Sequence, residues 1–128
     1  MRCLIVDDNA DFVDAARGLL ERQGITVVGA ASTSAEALQC FIELRPDVTL
    51  VDINLGGQSG FDLVEELHRT GSPAPSSLIL ISTHAAQDFA DMIATSPAVG
   101  FVSKSALTPR AIRDLVRASG HLEEGDQR

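Results

Sequence analysis

Five short runs of this 128-residue chain are apolar with no alternating polar face: residues 2–6, 25–31, 48–52, 78–82 and 99–103. A strand without a polar side is buried on both faces, which a parallel sheet covered by helices on each side provides. Segments of helical period separate the runs. Phe12, Ala15, Ala16, Leu19 and Leu20 recur at helical spacing, and Gly24 stops that helix. Thr33 and Glu36 form a capping-box pattern for a second helix through Glu43, before Pro46 breaks the chain. Gly56, Gly57 and Gly60 mark a loop ahead of a third helix carrying Phe61, Val64 and Leu67, which closes near Gly71. Residues 72–77 read as loop and 86–95 as a weaker fourth helix. Thr108 as N-cap and Pro109 at the first helical position open a fifth helix, with the stripe Ala111, Ile112, Leu115, Val116 and Ser119.

Five such units predict an α/β fold of flavodoxin-like type: a (βα)5 three-layer sandwich with a five-stranded parallel sheet in the order 2-1-3-4-5. One domain is expected over residues 1–119, followed by a polar tail or linker start over 120–128. Ten basic and 18 acidic side chains leave a net charge of −8. That argues against direct nucleic-acid contact, which needs a basic stripe, and against an anionic membrane surface. No apolar run approaches the roughly 18 residues of a membrane span, so the expected setting is cytoplasmic. Cys3 and Cys40 sit in apolar stretches and read as buried thiols.

The polar residues of interest fall at strand ends. Asp7 and Asp8 end the first strand, Asp52 the third and Ser82 the fourth; Lys104 follows the fifth and is the chain's only lysine, beside nine arginines. The C-terminal ends of parallel strands share one edge of the sheet, where ligands bind. Three carboxylates gathered there repel one another unless a cation neutralises them. Oxygen ligands in that number suit Mg²⁺, and the divalent charge with one lysine balances three acids. An ionised carboxylate in such a site can attack phosphorus, with metal and lysine stabilising charge on the transferred group. Each residue alone has a plainer reading. The acid pair would serve as helix N-terminal acids, Asp52 as a turn former, Lys104 as a solvated charge and Phe101 as core.

Read together, Leu-Ile-Val-Asp-Asp (4–8), Val-Asp-Ile-Asn-Leu (51–55) with Ser-Gly (59–60), Leu-Ile-Ser (80–82) and Gly-Phe-Val-Ser-Lys (100–104) resemble the receiver domain of two-component response regulators, over about residues 2–119. The resemblance implies that Asp52 is the phosphoacceptor and that Mg²⁺ is the cofactor. Asp8 would bind the metal directly, Asp7 mainly through water, and Asn54 through its backbone carbonyl. Ser82 matches the hydroxyl that contacts the phosphoryl group, Lys104 the lysine that pairs with Asp52 and then with phosphoryl oxygens, and Phe101 the aromatic switch position. Asn54, Thr83 and His84 would tune phosphoryl lifetime. A histidine kinase or phosphotransfer protein would be the donor. The face of the fourth helix, fifth strand and fifth helix would meet an output domain or downstream protein. A homodimer through that face or through the first and fifth helices belongs to the same expectation. The domain would assist its own modification without turning over a free substrate.

Some positions depart from the family's common pattern. Gly56 stands where proline is frequent, which predicts a less rigid loop. Thr83 replaces a small residue and narrows access. Ser105 follows the lysine where proline is common. A cis bond there costs about 2.5–4 kcal/mol against about 0.5–1 for proline, so that peptide is expected trans or held cis by its surroundings. Phe101 lacks a tyrosine hydroxyl and can switch only through packing. The ending Gly-Phe-Val-Ser-Lys-Ser resembles receivers that precede a LuxR-type helix-turn-helix, the alternative being a receiver part of a DNA-binding regulator. A haloacid-dehalogenase-like phosphatase is the weaker rival. It needs an aspartate two residues after its nucleophile, and Asn54 cannot transfer a proton. A binding module that is never phosphorylated is a third reading.

Overall fold

The computed structural model describes residues 1–70 and 77–118. The five apolar runs become β1 (Arg2–Val6), β2 (Thr26–Ala31), β3 (Val48–Asp52), β4 (Ser77–Ser82) and β5 (Gly100–Ser103). They pair in parallel as one sheet in the order β2-β1-β3-β4-β5. Between them lie α1 (Ala10–Arg22), α2 (Ser34–Leu44), α3 (Gly60–Thr70) and α4 (Ala90–Thr95), and α5 (Pro109–Ala118) closes the chain.

Alternate residues of β1, β3 and β4 feed opposite layers. Cys3, Ile5, Leu50, Ile79 and Ile81 pack with Val13, Ala16 and Leu20 of α1 and with Ile112 and Val116 of α5. Leu4, Val6, Val51, Leu78 and Leu80 pack on the other face with Ala37 and Phe41 of α2 and with Leu63, Val64 and Leu67 of α3. Both faces of the central strands are thus apolar, which is why no polar alternation shows in the sequence. Fully burying one Leu or Ile stabilises by about 1.5–3 kcal/mol, and Leu4, Ile5, Leu50, Ile79, Leu80 and Ile81 all show less than 2% exposure.

Local rules set the helix starts. Asn9 Oδ1 accepts the Phe12 N–H at 3.1 Å to cap α1, and Thr108 Oγ1 accepts the Ala111 N–H at 3.0 Å to cap α5. At α2, Thr33 Oγ1 accepts the Glu36 N–H at 3.1 Å. The Glu36 carboxylate reaches past the cap to Ser32, accepting its N–H at 2.9 Å and its hydroxyl at 3.0 Å. These bonds hold the Glu36 carboxyl below its ordinary value.

Three sequence expectations need correction. The segment 86–95 is not one helix: a 3-10 turn over Ala86–Phe89 precedes α4, which buries none of its residues. Without an apolar face seated in the core, little favours a longer regular helix. Cys40 is only half-buried; Cys3 is fully buried, and burial pushes its thiol up to about 12. The loop after Asp52 contains a small antiparallel hairpin, Asn54–Leu55 with Gln58–Ser59. The expected closure of α3 near Gly71, the loop over 72–76, Ser119 and the polar tail lie outside the described residues.

Candidate functional site

The site grows from the ends of β1 and β3. Asp7 continues the sheet by one residue, its N–H donating to Ala31 O at 2.9 Å, and this places its side chain inside. Its Oδ1 accepts the Asn9 N–H at 2.9 Å. Asp8 follows and is exposed. Asp52 is the last residue of β3, 6% exposed, and its Oδ1 accepts the Asn54 N–H at 3.2 Å. One carboxylate oxygen from each of Asp7, Asp8 and Asp52 lies within 4.8 Å of the other two.

Lys104, in the 3-10 turn Lys104–Ala106, answers this charge. Its Nζ is 2.6 Å from Asp7 Oδ2 and 3.3 Å from Asp52 Oδ2. The bond to Asp52 is a hydrogen bond. The contact with Asp7 is the shorter of the two ion pairs, and because a carboxylate oxygen has two lone pairs, Asp7 Oδ2 keeps capacity for another cation. Burial, and then the charge of Asp7, raise the Asp52 carboxyl above the usual aspartate range despite Lys104 and the Asn54 N–H. Burial works against the charged form of Lys104, but Asp7 and Asp52 outweigh it and raise its pKa. Three clustered acids facing one lysine remain two negative charges in excess. That deficit and an all-oxygen donor set fit a hard divalent cation such as Mg²⁺.

Glycines shape the loop after Asp52. A Cβ on Gly60 would stand 2.1 Å from Asp52 O, so only glycine lets α3 start against the end of β3. Gly56 and Gly57 form the two-residue turn of the hairpin, with φ of 56° and 91°, the positive values such a turn requires. Proline, fixed near −65°, cannot occupy position 56 in this turn. Strand pairing ties the two sides of this turn together, and Gln58 Oε1 accepts the Ser34 N–H at 3.0 Å.

The register brings the remaining residues to the same edge. Asp52 pairs with Ile81, one residue before Ser82, and Ser82 pairs with Ser103, one residue before Lys104. Ser82 is 4% exposed. Its Oγ accepts the His84 N–H at 3.0 Å and lies 3.5 Å from His84 Nδ1. Thr83 and His84 are exposed, and the His84 ring stands edge-on to Phe89 at 6.0 Å. Asn54 touches Asp52 through its N–H. Phe101 joins Gln87, Ala90, Ile93 and Ala94 around an open apolar groove of about 320 Å³. The acids and Lys104 therefore form one contact cluster. Ser82 reaches their edge through register, His84 touches Ser82, and Phe101 faces the groove beside α4. Phe12 escaped the sequence reading: its ring centroid is 4.6 Å from Lys104 Nζ. Its position in the first turn after Asn9, next to the strand ends, was the available signal, masked by its membership in the apolar stripe of α1.

Known proteins are similar to this chain in sequence and fold. The family model described as response regulator receiver domain matches residues 3–117. A Pseudomonas aeruginosa protein named as a transcriptional regulator is 37% identical over 103 residues, 80% of this chain and 49% of that protein. The response regulator GacA of the same organism is 30% identical over 130 residues, 99% of this chain and 57% of GacA. The solved structure of a two-component response regulator of the LuxR family from Aurantimonas sp. superposes with a TM-score of 0.80 at 26% identity, covering 91% of this chain and 85% of that one. The chain spans about half the length of the curated relatives it matches. With the strand order, the three acids and Lys104 already in place, the chain belongs to the response regulator receiver domain family.

Proposed function

We propose that Asp52 accepts a phosphoryl group from the phosphohistidine of a histidine kinase or phosphotransfer protein. A carboxylate oxygen of Asp52 attacks phosphorus, the N–P bond breaks, and its electron pair returns to the imidazole. The observation that carries this reading is the cluster of Asp7, Asp8 and Asp52 within 4.8 Å, with Lys104 on two of them. Asp7, Asp8, Asp52 and the backbone carbonyl of Asn54 would hold Mg²⁺. Bound there, the ion supplies positive charge against the oxygens of the transferred group. Lys104 exchanges Asp52 for a phosphoryl oxygen, and Ser82 Oγ donates to another once it turns from His84. Thr83 and His84, exposed beside Ser82, set access of water and so the lifetime of the acyl phosphate, together with Asn54.

The acyl phosphate carries about −1.5 to −2 charge where the Asp52 carboxylate carried a single negative charge, and it projects that charge further from the sheet edge. Withdrawal of Ser82 drags the following loop and shifts a two-state equilibrium at the face of α4, β5 and α5, where Phe101 repacks in its groove. That face would meet an output domain or a downstream protein; self-association would use it or the α1–α5 face. The transcriptional regulators among its relatives support a place ahead of a LuxR-type DNA-binding domain. No helix among the described residues is long and apolar enough to cross a membrane, in keeping with a cytoplasmic setting.

The test is phosphoryl uptake from acetyl phosphate with Mg²⁺, read by intact mass. Wild type should gain one phosphoryl group per chain, and Asp52→Asn none. Equal uptake by both would sink the assignment, and many turnovers on a phosphomonoester, which is too weak a donor to form an acyl phosphate, would revive the phosphatase rival.

A further inference from the structure

Lys104 has a third partner besides its two carboxylates. The Phe12 ring centroid lies 4.6 Å from Nζ, within the range of a cation–π contact. The Lys104 side chain is 11% exposed, so this ring lies beside an ammonium largely withdrawn from water. Phe12 is also tied to Asp7 through Asn9. Its N–H donates to Asn9 Oδ1, and the Asn9 N–H donates to Asp7 Oδ1. Asp7 and the ring that meets its lysine are therefore set by one short stretch, the entry to α1.

The two kinds of partner behave differently during transfer. A carboxylate neutralises the ammonium; a metal ion competes with the ammonium for that carboxylate, and incoming phosphoryl oxygens compete with the carboxylate for the ammonium. An aromatic face attracts the ammonium without cancelling its charge. We propose that Phe12 is a positioning residue: its ring keeps the Lys104 ammonium at the sheet edge while the lysine trades Asp7 and Asp52 for a phosphoryl oxygen. Without the ring, a flexible four-carbon stem with strongly hydrated charge turns to solvent between partners, and transfer slows. This inference rests on Asp52 as the acceptor.

The test compares Phe12→Leu, Phe12→Tyr and replacement of Phe12 by 3,4,5-trifluorophenylalanine. Leucine keeps an apolar side chain without a π face. Tyrosine keeps the face. The fluorinated ring keeps the shape and weakens the quadrupole. Because Lys104 is the only lysine, lysine labelled at Cε gives a single NMR signal from this side chain. In wild type the ring current should displace that signal; Phe12→Leu should abolish the displacement and Phe12→Tyr retain it. The rate constant for phosphoryl uptake from acetyl phosphate at saturating Mg²⁺ should fall about 3- to 10-fold in Phe12→Leu, the range set by a contact of this type. It should fall by less in the fluorinated protein and return to near wild type in Phe12→Tyr.

Equal rates for the fluorinated and wild-type rings would overturn the electrostatic role. An unchanged Lys104 signal in Phe12→Leu would overturn the contact itself. No uptake by wild type would defeat the acceptor assignment and the positioning role with it, while the NMR signal still decides whether ring and lysine meet.

Discussion

The two halves of the functional edge are built in opposite ways. Around β1 and β3, Asp7 and Asp52 are buried at the ends of strands that touch both cores, and Lys104 joins them through ion pairs. Around β4 and α4, Ser82 is buried, but Thr83 and His84 are exposed, a 3-10 turn follows, and α4 buries nothing; Met92 is 50% exposed. The first half holds three acids and one lysine within a few ångströms of one another. The second has few buried contacts to lose, so its local opening free energy is low. On the proposed function, charge would arrive where the structure is well anchored and be displayed where few buried contacts resist movement.

The largest test of that contrast is removal of the lysine. Lys104→Met leaves Asp7 and Asp52 without their buried counter-charge and should cost about 3–5 kcal/mol in metal-free protein, measured by urea unfolding. Saturating Mg²⁺ should recover much of the loss, because a ligand that binds only the folded state at about 100 times its Kd stabilises by about 2.7 kcal/mol. If Mg²⁺ recovers nothing, the acids do not hold the ion.

Core truncations on the two sides come next. Leu80→Ala, at a site of 0% exposure in β4, should cost about 2–5 kcal/mol. Ile93→Ala in α4, only partly buried, should cost less than about 1 kcal/mol and leave Mg²⁺-dependent uptake intact. Similar losses at both positions would break the comparison.

The smallest effect concerns pH. The folded pKa of Asp52 lies above its unfolded value, so between the two the folded state binds more protons and stability falls as pH rises. The ionised carboxyl is therefore a cost at neutral pH. Asp52→Asn should raise the Tm of metal-free protein at pH 7, and the gain should vanish below about pH 4, near the unfolded aspartate value. A gain that persists at low pH would show that the effect is not electrostatic.

Hydrogen exchange divides the halves directly. Amides of β1 and β3 should exchange only through global unfolding. Those of residues 86–95 should exchange orders of magnitude faster, as low local stability requires.

The acid cluster was legible in the sequence because of where its residues stand. Asp7, Asp8, Asp52, Ser82 and Lys104 each close an apolar run, and parallel strands bring such closings to one edge whatever the helices do. The gentler features were not legible. Glu36 fits the capping box, but its added bonds to Ser32 were not legible, because a flexible carboxylate settles among adjacent N–H groups only once the chain entering α2 has its direction. Gly56 read as part of an open loop, and the pairing of Asn54 with Ser59 was not legible there.

The sequence by itself determined the layer order, the burial of both sheet faces and the strand-end placement of the acids and the single lysine. These follow from period, apolarity and chain direction, which are local properties. Only the tertiary structure decided that Phe12 meets Lys104, 92 positions along the chain, and that His84 stands between Ser82 and Phe89. Such meetings depend on how far a helix is rotated on the sheet and where a loop turns. Those are set by the packing of all the layers at once, so no single segment encodes them.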